Sequence, residues 1–254
     1  MNRLSKLVAV AFALAMCACS EEKIALDSSS GIEEGLPATI SVRIQVPAAQ
    51  KMSISRTAED VESEISQLLM IMYSNQSDRK EVIDLTGKIA ISGGTADQGQ
   101  RFYSTTADIP TTSGNYRVYF IANWESAFAG VTRTQLENYT EEQLKSLVIN
   151  NNNATQLVGQ YRLPMSFYSD GIDIYPDQNG SPDSRNQLGQ MTDGHSSIQL
   201  RRVTSRINFT FESGTGVTFT PTNITLYNLP KQAPLFDAQN FNVTGVHTTP
   251  PRSF

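Results

Sequence analysis

Thr39-Ile40-Ser41-Val42-Arg43-Ile44-Gln45-Val46 alternates apolar and polar side chains without a break. Ile40, Val42, Ile44 and Val46 fall on one face, and Ser41, Arg43 and Gln45 on the other. A period of two is that of a half-buried β-strand, and taken alone it fits an ordinary edge strand of a sandwich. Pro47 ends the run, because it has no amide hydrogen to give to a ladder. A small, polar linker follows, Ala48-Ala49-Gln50-Lys51-Met52-Ser53-Ile54-Ser55-Arg56-Thr57, and the next apolar run begins only at Ile65. A first strand is thus tethered to the rest of the chain by a segment holding one arginine.

Downstream, strand signals recur. Ile65-Ser66-Gln67-Leu68-Leu69-Met70-Ile71-Met72-Tyr73 is almost wholly apolar and reads as a strand buried on both faces, with a short helix as the alternative. Residues 82–91 form a weaker strand pair broken near Thr86-Gly87, and 100–108 a polar strand. Tyr116-Arg117-Val118-Tyr119-Phe120-Ile121-Ala122-Asn123 is the clearest central strand. Residues 134–148 are the one helical patch, with Thr140 and Gln143 spaced as a capping box. Leu163-Pro164-Met165-Ser166-Phe167 reads as a short buried strand, residues 169–194 as a long polar loop, and 198–211 and 223–229 as two further strands. Short strands, turn residues, one short helix and a long loop define an all-β fold, a β-sandwich.

Composition narrows function. The chain has 254 residues and a formal net charge of −5. Removing a leader that holds Arg3 and Lys6 leaves 18 cationic against 25 acidic side chains, a net −7. Such a chain is poorly suited to nucleic acid, whose binding needs cations to displace condensed counterions. Residues 1–18 read as an export signal, basic at Asn2-Arg3-Leu4-Ser5-Lys6 and apolar from 7 to 15. That apolar stretch is too short to span a bilayer, which takes roughly 20 helical residues.

The two cysteines, Cys17 and Cys19, close this leader. Leu14-Ala15-Met16-Cys17-Ala18-Cys19 resembles a bacterial lipobox. Cys19 is the better acceptor for a diacylglycerol, since small Ala18 precedes it. An ordinary signal peptide with incidental cysteines is the alternative. Ser20-Glu21-Glu22-Lys23 resembles the surface-export signal of Bacteroidetes lipoproteins, and residues 19–37 read as an acidic, polar tether. Outside the leader no thiol is left for cysteine catalysis.

Three segments together resemble the fimbrillin family, the lipoprotein subunit precursors of type V pili in Bacteroidetes. They are Tyr119-Phe120-Ile121-Ala122-Asn123, Leu163-Pro164-Met165-Ser166, and Ile198-Gln199-Leu200-Arg201-Arg202-Val203-Thr204-Ser205-Arg206-Ile207. The resemblance implies a transthyretin-like Greek-key β-sandwich over residues 38–235, the N-terminal domain of such a subunit. Residues 236–254 would then be a linker or the start of a truncated second domain. It implies a surface lipoprotein of the outer membrane that is cut by an arginine-specific protease in the linker. The strand carrying Ile40, Val42, Ile44 and Val46 would be displaced, and neighbouring pilus subunits would join by strand addition. Arg56 is the only arginine between Arg43 and Arg79, which makes it the expected cut site. A solvated loop arginine is the plain alternative. The competing function is a lipid-anchored glycan-binding or adhesion protein that does not polymerise.

Other chemistry finds little support. His195 and His247 sit in polar stretches without zinc spacing, so no metal or cofactor is expected. No nucleophile elbow or phosphate loop is present, so no enzyme is expected. Asp177, Asn179, Ser181 and Asp183 alternate like a calcium loop, but Pro182 stands where its glycine belongs and Leu188 where its glutamate belongs. Trp124, Tyr168 and Tyr175 are candidates for a sugar-stacking platform, or else core aromatics. Asn208 and Asn223 match the N-glycosylation pattern without implying its use.

Overall fold

The computed structural model describes residues 31–47, 64–94, 100–127, 131–150, 162–189 and 198–202. It also describes 214–216, 223–224, 229–230, 232–236, 246–247 and 252–253. The body from residue 32 onward is a two-sheet, all-β sandwich. The first sheet contains β1 (Pro37–Pro47), β4 (Ile89–Gly93), β5 (Gln100–Thr105), β6 (Ile109–Thr112), β10 (Gln187–Leu188) and β11 (Ile198–Gln199). The second runs β12 (Arg201–Arg202), β9 (Met165–Ile174), β7 (Gly114–Ala122), β2 (Leu68–Ser74), β3 (Lys80–Asp84). A further short strand, β8 (Val148–Asn150), pairs antiparallel with the segment Gln232–Pro234.

Between the sheets lies one core. β1 contributes Ile40, Val42, Ile44 and Val46; β2 contributes Leu68, Met70 and Met72; β7 contributes Tyr116, Val118, Phe120 and Ala122. Most alternate residues of β2 and of the second half of β7 are also buried. Leu69, Ile71, Tyr119 and Ile121 pack outward against Trp124, Leu136, Leu144, Ile149 and Leu235. Within the run at 65–73, the strand from Leu68 onward is buried on both faces, as its composition requires, whereas Ile65 and Gln67 are half-buried and Ser66 is exposed.

The helical patch at 134–148 is not one helix. Within it lie α2 (Arg133–Asn138) and α3 (Glu141–Lys145), and a third short helix, α1 (Trp124–Ala127), follows β7. Thr140 caps α3, accepting from the Gln143 amide while the Gln143 side chain accepts from the Thr140 amide, and Thr132 with Gln135 does the same for α2. An N-cap needs an extended backbone, and Thr140 sits at ψ 165. The box that starts α3 thus forces the preceding helix to stop. Residues 148–150, read as the helix end, are strand β8.

The long loop at 169–194 also needs correction. β9 runs through residue 174, followed by a tight turn, a short 3-10 turn Ser184–Asn186 and β10. Asn179 and Gly180 lie at φ 52 and 76, and Gln178 and Ser181 exchange backbone hydrogen bonds of 2.9 and 3.0 Å. This is the primed hairpin turn that an Asn-Gly pair favours. The tail of the 198–211 segment lies outside the described residues.

Asn123 ends β7 at φ 57, in the left-handed region that asparagine tolerates. Its Oδ1 accepts from the Ser66 amide (3.0 Å) and hydroxyl (3.1 Å), and its Nδ2 donates to the carbonyls of Glu64 and Leu163 (both 2.9 Å). One buried side chain thus ties the start of β2 and the start of β9 to the end of β7. Asn123→Ala is expected to lower unfolding free energy in urea titration by about 2–4 kcal/mol. Asn123→Gly, which relieves the backbone but not the lost bonds, should recover only about 1 kcal/mol of that.

Candidate functional site

β1 is an interior strand, not an edge. On one side it pairs antiparallel with β6 over residues 37–40 and with β5 over 43–47. On the other it pairs parallel with β10 at Ser41 and Val42, and with β11 at Ile44 and Gln45. Both lateral partners therefore change hands near the middle of the strand, where the Val42 amide bridges the seam by donating to Thr105 Oγ1 (3.2 Å). The alternation in sequence correctly gave the buried face. It could not give the lateral position, because a period of two does not report lateral neighbours and one of the two parallel partners, β10, comes from a segment whose polarity disguised it as loop.

Ile40, Val42, Ile44 and Val46 are each no more than 2% exposed, and Ala38 adds a fifth inward residue that the sequence reading passed over. On the opposite face the Arg43 guanidinium lies over the Phe102 ring, 4.6 Å from its centroid. Gln45 is buried, and its Oε1 accepts from Gln199 Nε2 at 3.1 Å. Cys19 and Arg56 lie outside the described residues, as do His195 and the whole of the linker from 48 to 57.

Three side chains fasten the strand beyond its ladders. Ser113, fully buried after β6, accepts on Oγ from the Leu36 amide (3.1 Å) and donates to the Glu33 carbonyl (2.6 Å). Asp177 Oδ2 accepts from the Thr39 hydroxyl (2.7 Å). Asn186 donates through Nδ2 to the carbonyls of Thr39 (3.1 Å) and Tyr175 (2.7 Å), and accepts on Oδ1 from the Tyr175 amide (2.8 Å). Asn186 thereby bolts the base of β10 to the end of β9 and to β1 at once.

The acidic residues of the would-be calcium loop are occupied in this arrangement. Asp183 caps the 3-10 turn through the Arg185 amide (2.9 Å), and accepts from Arg185 Nη2 (2.7 Å) and Gln178 Nε2 (3.1 Å). The Arg185 guanidinium stacks 3.5 Å from the centroid of Tyr175. Hydrogen bonds from Arg185 hold the Asp183 carboxyl down to about 2. Among the described residues no three His, Cys, Asp or Glu side chains gather to hold a metal.

The sugar-platform aromatics do not share a surface. Trp124 is 2% exposed within the core beneath the helices. Tyr168 stacks on Tyr119 at 4.7 Å, and Tyr175 is covered by Arg185. Elsewhere on the surface an open, polar cleft lies between the β2–β3 turn and the α2–α3 junction, lined among others by Arg79, Lys80, Arg117 and Glu141. Lys80, Arg117 and Glu141 are engaged within the fold. Glu141 takes Arg117 Nε (2.9 Å), the Tyr119 hydroxyl (2.7 Å) and Lys145 (2.8 Å), and Lys80 donates to the Tyr139 carbonyl (2.7 Å).

The fold and this site define a β-sandwich whose first strand is paired along both edges and buried on its inner face. Residues 38–201, more than half of the chain, match the sequence model of the major fimbrial subunit protein (FimA) family. The chain belongs to that family. Among solved structures it is similar to a fimbrial assembly protein from Parabacteroides distasonis ATCC 8503. The two share 11% identity and a TM-score of 0.46, over 87% of this chain and 73% of that one. No curated protein matches the sequence.

Two measurements check the way β1 is held. Gly189, just after β10, sits at φ +78, and a β-carbon there would lie 2.0 Å from the Arg43 carbonyl oxygen. Gly189→Ala is expected to displace this wall from β1 and to cost at least about 2 kcal/mol in urea titration. The second is a pH titration. The folded pKa of Asp183 is depressed below its ordinary 3.8, so its stabilisation is complete above that value and fades as pH falls towards about 2. The protection factor of the amides in β10, corrected for the intrinsic exchange rate at each pH, is expected to fall over that interval, and Asp183→Asn should remove the pH-dependent component.

Proposed function

We propose that this chain is a cell-surface lipoprotein that acts as a fimbrial subunit or accessory protein, and that it joins its neighbours by exchange of β1. In this reading Cys19 carries the lipid, and residues 19–37 hold the domain off the outer membrane. An arginine-specific surface protease cuts after Arg56. β1 then leaves, and a strand from a neighbouring subunit takes its place beside β5 and β6.

The observation that carries the reading is the combination of enclosure and connection. β1 supplies the inner face of the first sheet, yet it is joined to β2 only through the stretch that holds Arg56. A cut there severs the strand's covalent tie to the rest of the fold. Arg43, the other arginine near at hand, is paired to Ser104 within the sheet, where a protease cannot draw it into an extended active site. A strand held by ladders on both sides, with five inward apolar residues, is replaced best by another strand of the same pattern. The glycan-binding alternative loses its main residue with the burial of Trp124.

The N-terminus of the protein on intact cells tests the proposal. Thr57 is expected at the N-terminus of assembled material, and a lipidated Cys19 on the uncut precursor. Arg56→Ala is expected to leave the precursor uncut and to abolish polymer. Polymer built from chains that still begin at Cys19 would overturn it.

A further inference from the structure

Strand loss is usually pictured as opening a slot between standing walls. Here the walls depend on the strand. Among the described residues β6, β10 and β11 pair with β1 and with no other strand. Only β5 has a second partner, β4. The Leu200 amide likewise donates to the Gln45 carbonyl at 2.9 Å, and the Asp177 amide to the Pro37 carbonyl at 3.0 Å. The second sheet is different, since β2, β7 and β9 each have strand partners on both sides.

We infer that the acceptor of this subunit is not a preformed groove: β6, β10 and β11 lose their ordered strand conformation when β1 leaves, and the incoming strand rebuilds them as it binds. The inference rests on the strand-exchange reading for its biological setting, but its physical basis is the pairing alone. Without β1, the segments 109–112, 187–189 and 198–200 keep side-chain anchors but no ladder. Thr111 still donates to Glu81 (2.6 Å), and Asn186 still grips Tyr175. Their backbone groups turn to water, and local opening becomes cheap. Binding is then coupled to folding of the walls.

This sets what the partner must be. It is an extended strand that runs antiparallel to β5 and β6 and parallel to β10 and β11. It places apolar side chains at the positions of Ile40, Val42, Ile44 and Val46, and a small one at that of Ala38. Between the positions of Val42 and Ile44 it must pass flat against Gly189, where the Arg43 carbonyl now lies.

Hydrogen exchange read by mass spectrometry tests this. The full chain, with the recognition site of a sequence-specific protease placed within residues 48–63, is cut and freed of its N-terminal fragment in mild denaturant. It is then compared with the uncut chain. Exchange in peptides covering 109–112, 187–189 and 198–200 is expected to speed up by at least about tenfold, with β2, β7 and β9 protected as before. A synthetic peptide of residues 37–47 is expected to restore the lost protection, and the same peptide with Ile44→Asp to fail. Walls that stay protected after strand removal would overturn the inference. So would loss of protection throughout the second sheet, or peptide binding without recovery of the walls. In the uncut chain, Ile44→Asp should reproduce the same local loss without any cleavage. Because the cut is engineered, failure of Arg56 to be processed in cells leaves this result untouched and bears only on the strand-exchange reading.

Discussion

The structure depends on one strand being hydrogen-bonded along both edges while burying five side chains beneath it. Full burial of an aliphatic side chain is worth roughly 1.5–3 kcal/mol, so Ile40, Val42, Ile44 and Val46 together contribute on the order of 10 kcal/mol. That is comparable to the whole stability of a typical domain, about 5–15 kcal/mol. β1 therefore does not leave by thermal fluctuation and remain away. On the proposed exchange, its loss is offset when another strand supplies the same burial, which is the physical reason to join proteolysis to assembly. The ladders impose direction as well as affinity, because a strand entered backwards would be parallel to β5 and antiparallel to β10.

The two sheets divide the labour. β2 and β7 are buried on both faces, by the sandwich core on one and by α2, α3 and β8 on the other. Asn123 ties both of them to the start of β9. None of this layer's strands pairs with β1. The first sheet is built around β1 and has little else to hold three of its members. On the proposed exchange, a layer that pairs independently of β1 would let a subunit lose and regain the strand without losing its fold.

Much of this was legible in the residues. Strict alternation at 39–46 located the buried face of β1, the apolar run at 65–73 gave a doubly buried strand three residues longer at its start than the one observed, and Thr140 with Gln143 gave a capped helix start. The errors have physical causes. A period of two reports which face is buried but not how many lateral neighbours a strand has, so β1 was read as an edge. Helical propensity across 134–148 hid the extended backbone that Thr140 needs as an N-cap, so two helices and a strand were read as one helix. Polar residues at 169–194 concealed strand, hairpin and β10, because their polar groups satisfy one another (Asn186 with Tyr175, Asp183 with Arg185) rather than water. Ala38 and Gly189 were missed because their importance lies in how little space they take.

The central claim is that β1 must come out for subunits to join. Cys17 and Cys19 are the only cysteines of the chain, so a new pair can be placed in the domain without competition there. Gln45 and Phe102 are directly opposed on β1 and β5, and Gln45→Cys with Phe102→Cys would bind the strand to its neighbour. Oxidised subunits are expected to be cut in the linker yet to stay monomeric, and to polymerise once a reductant opens the bond. Polymer that forms at the normal rate with the cross-link intact would contradict the account.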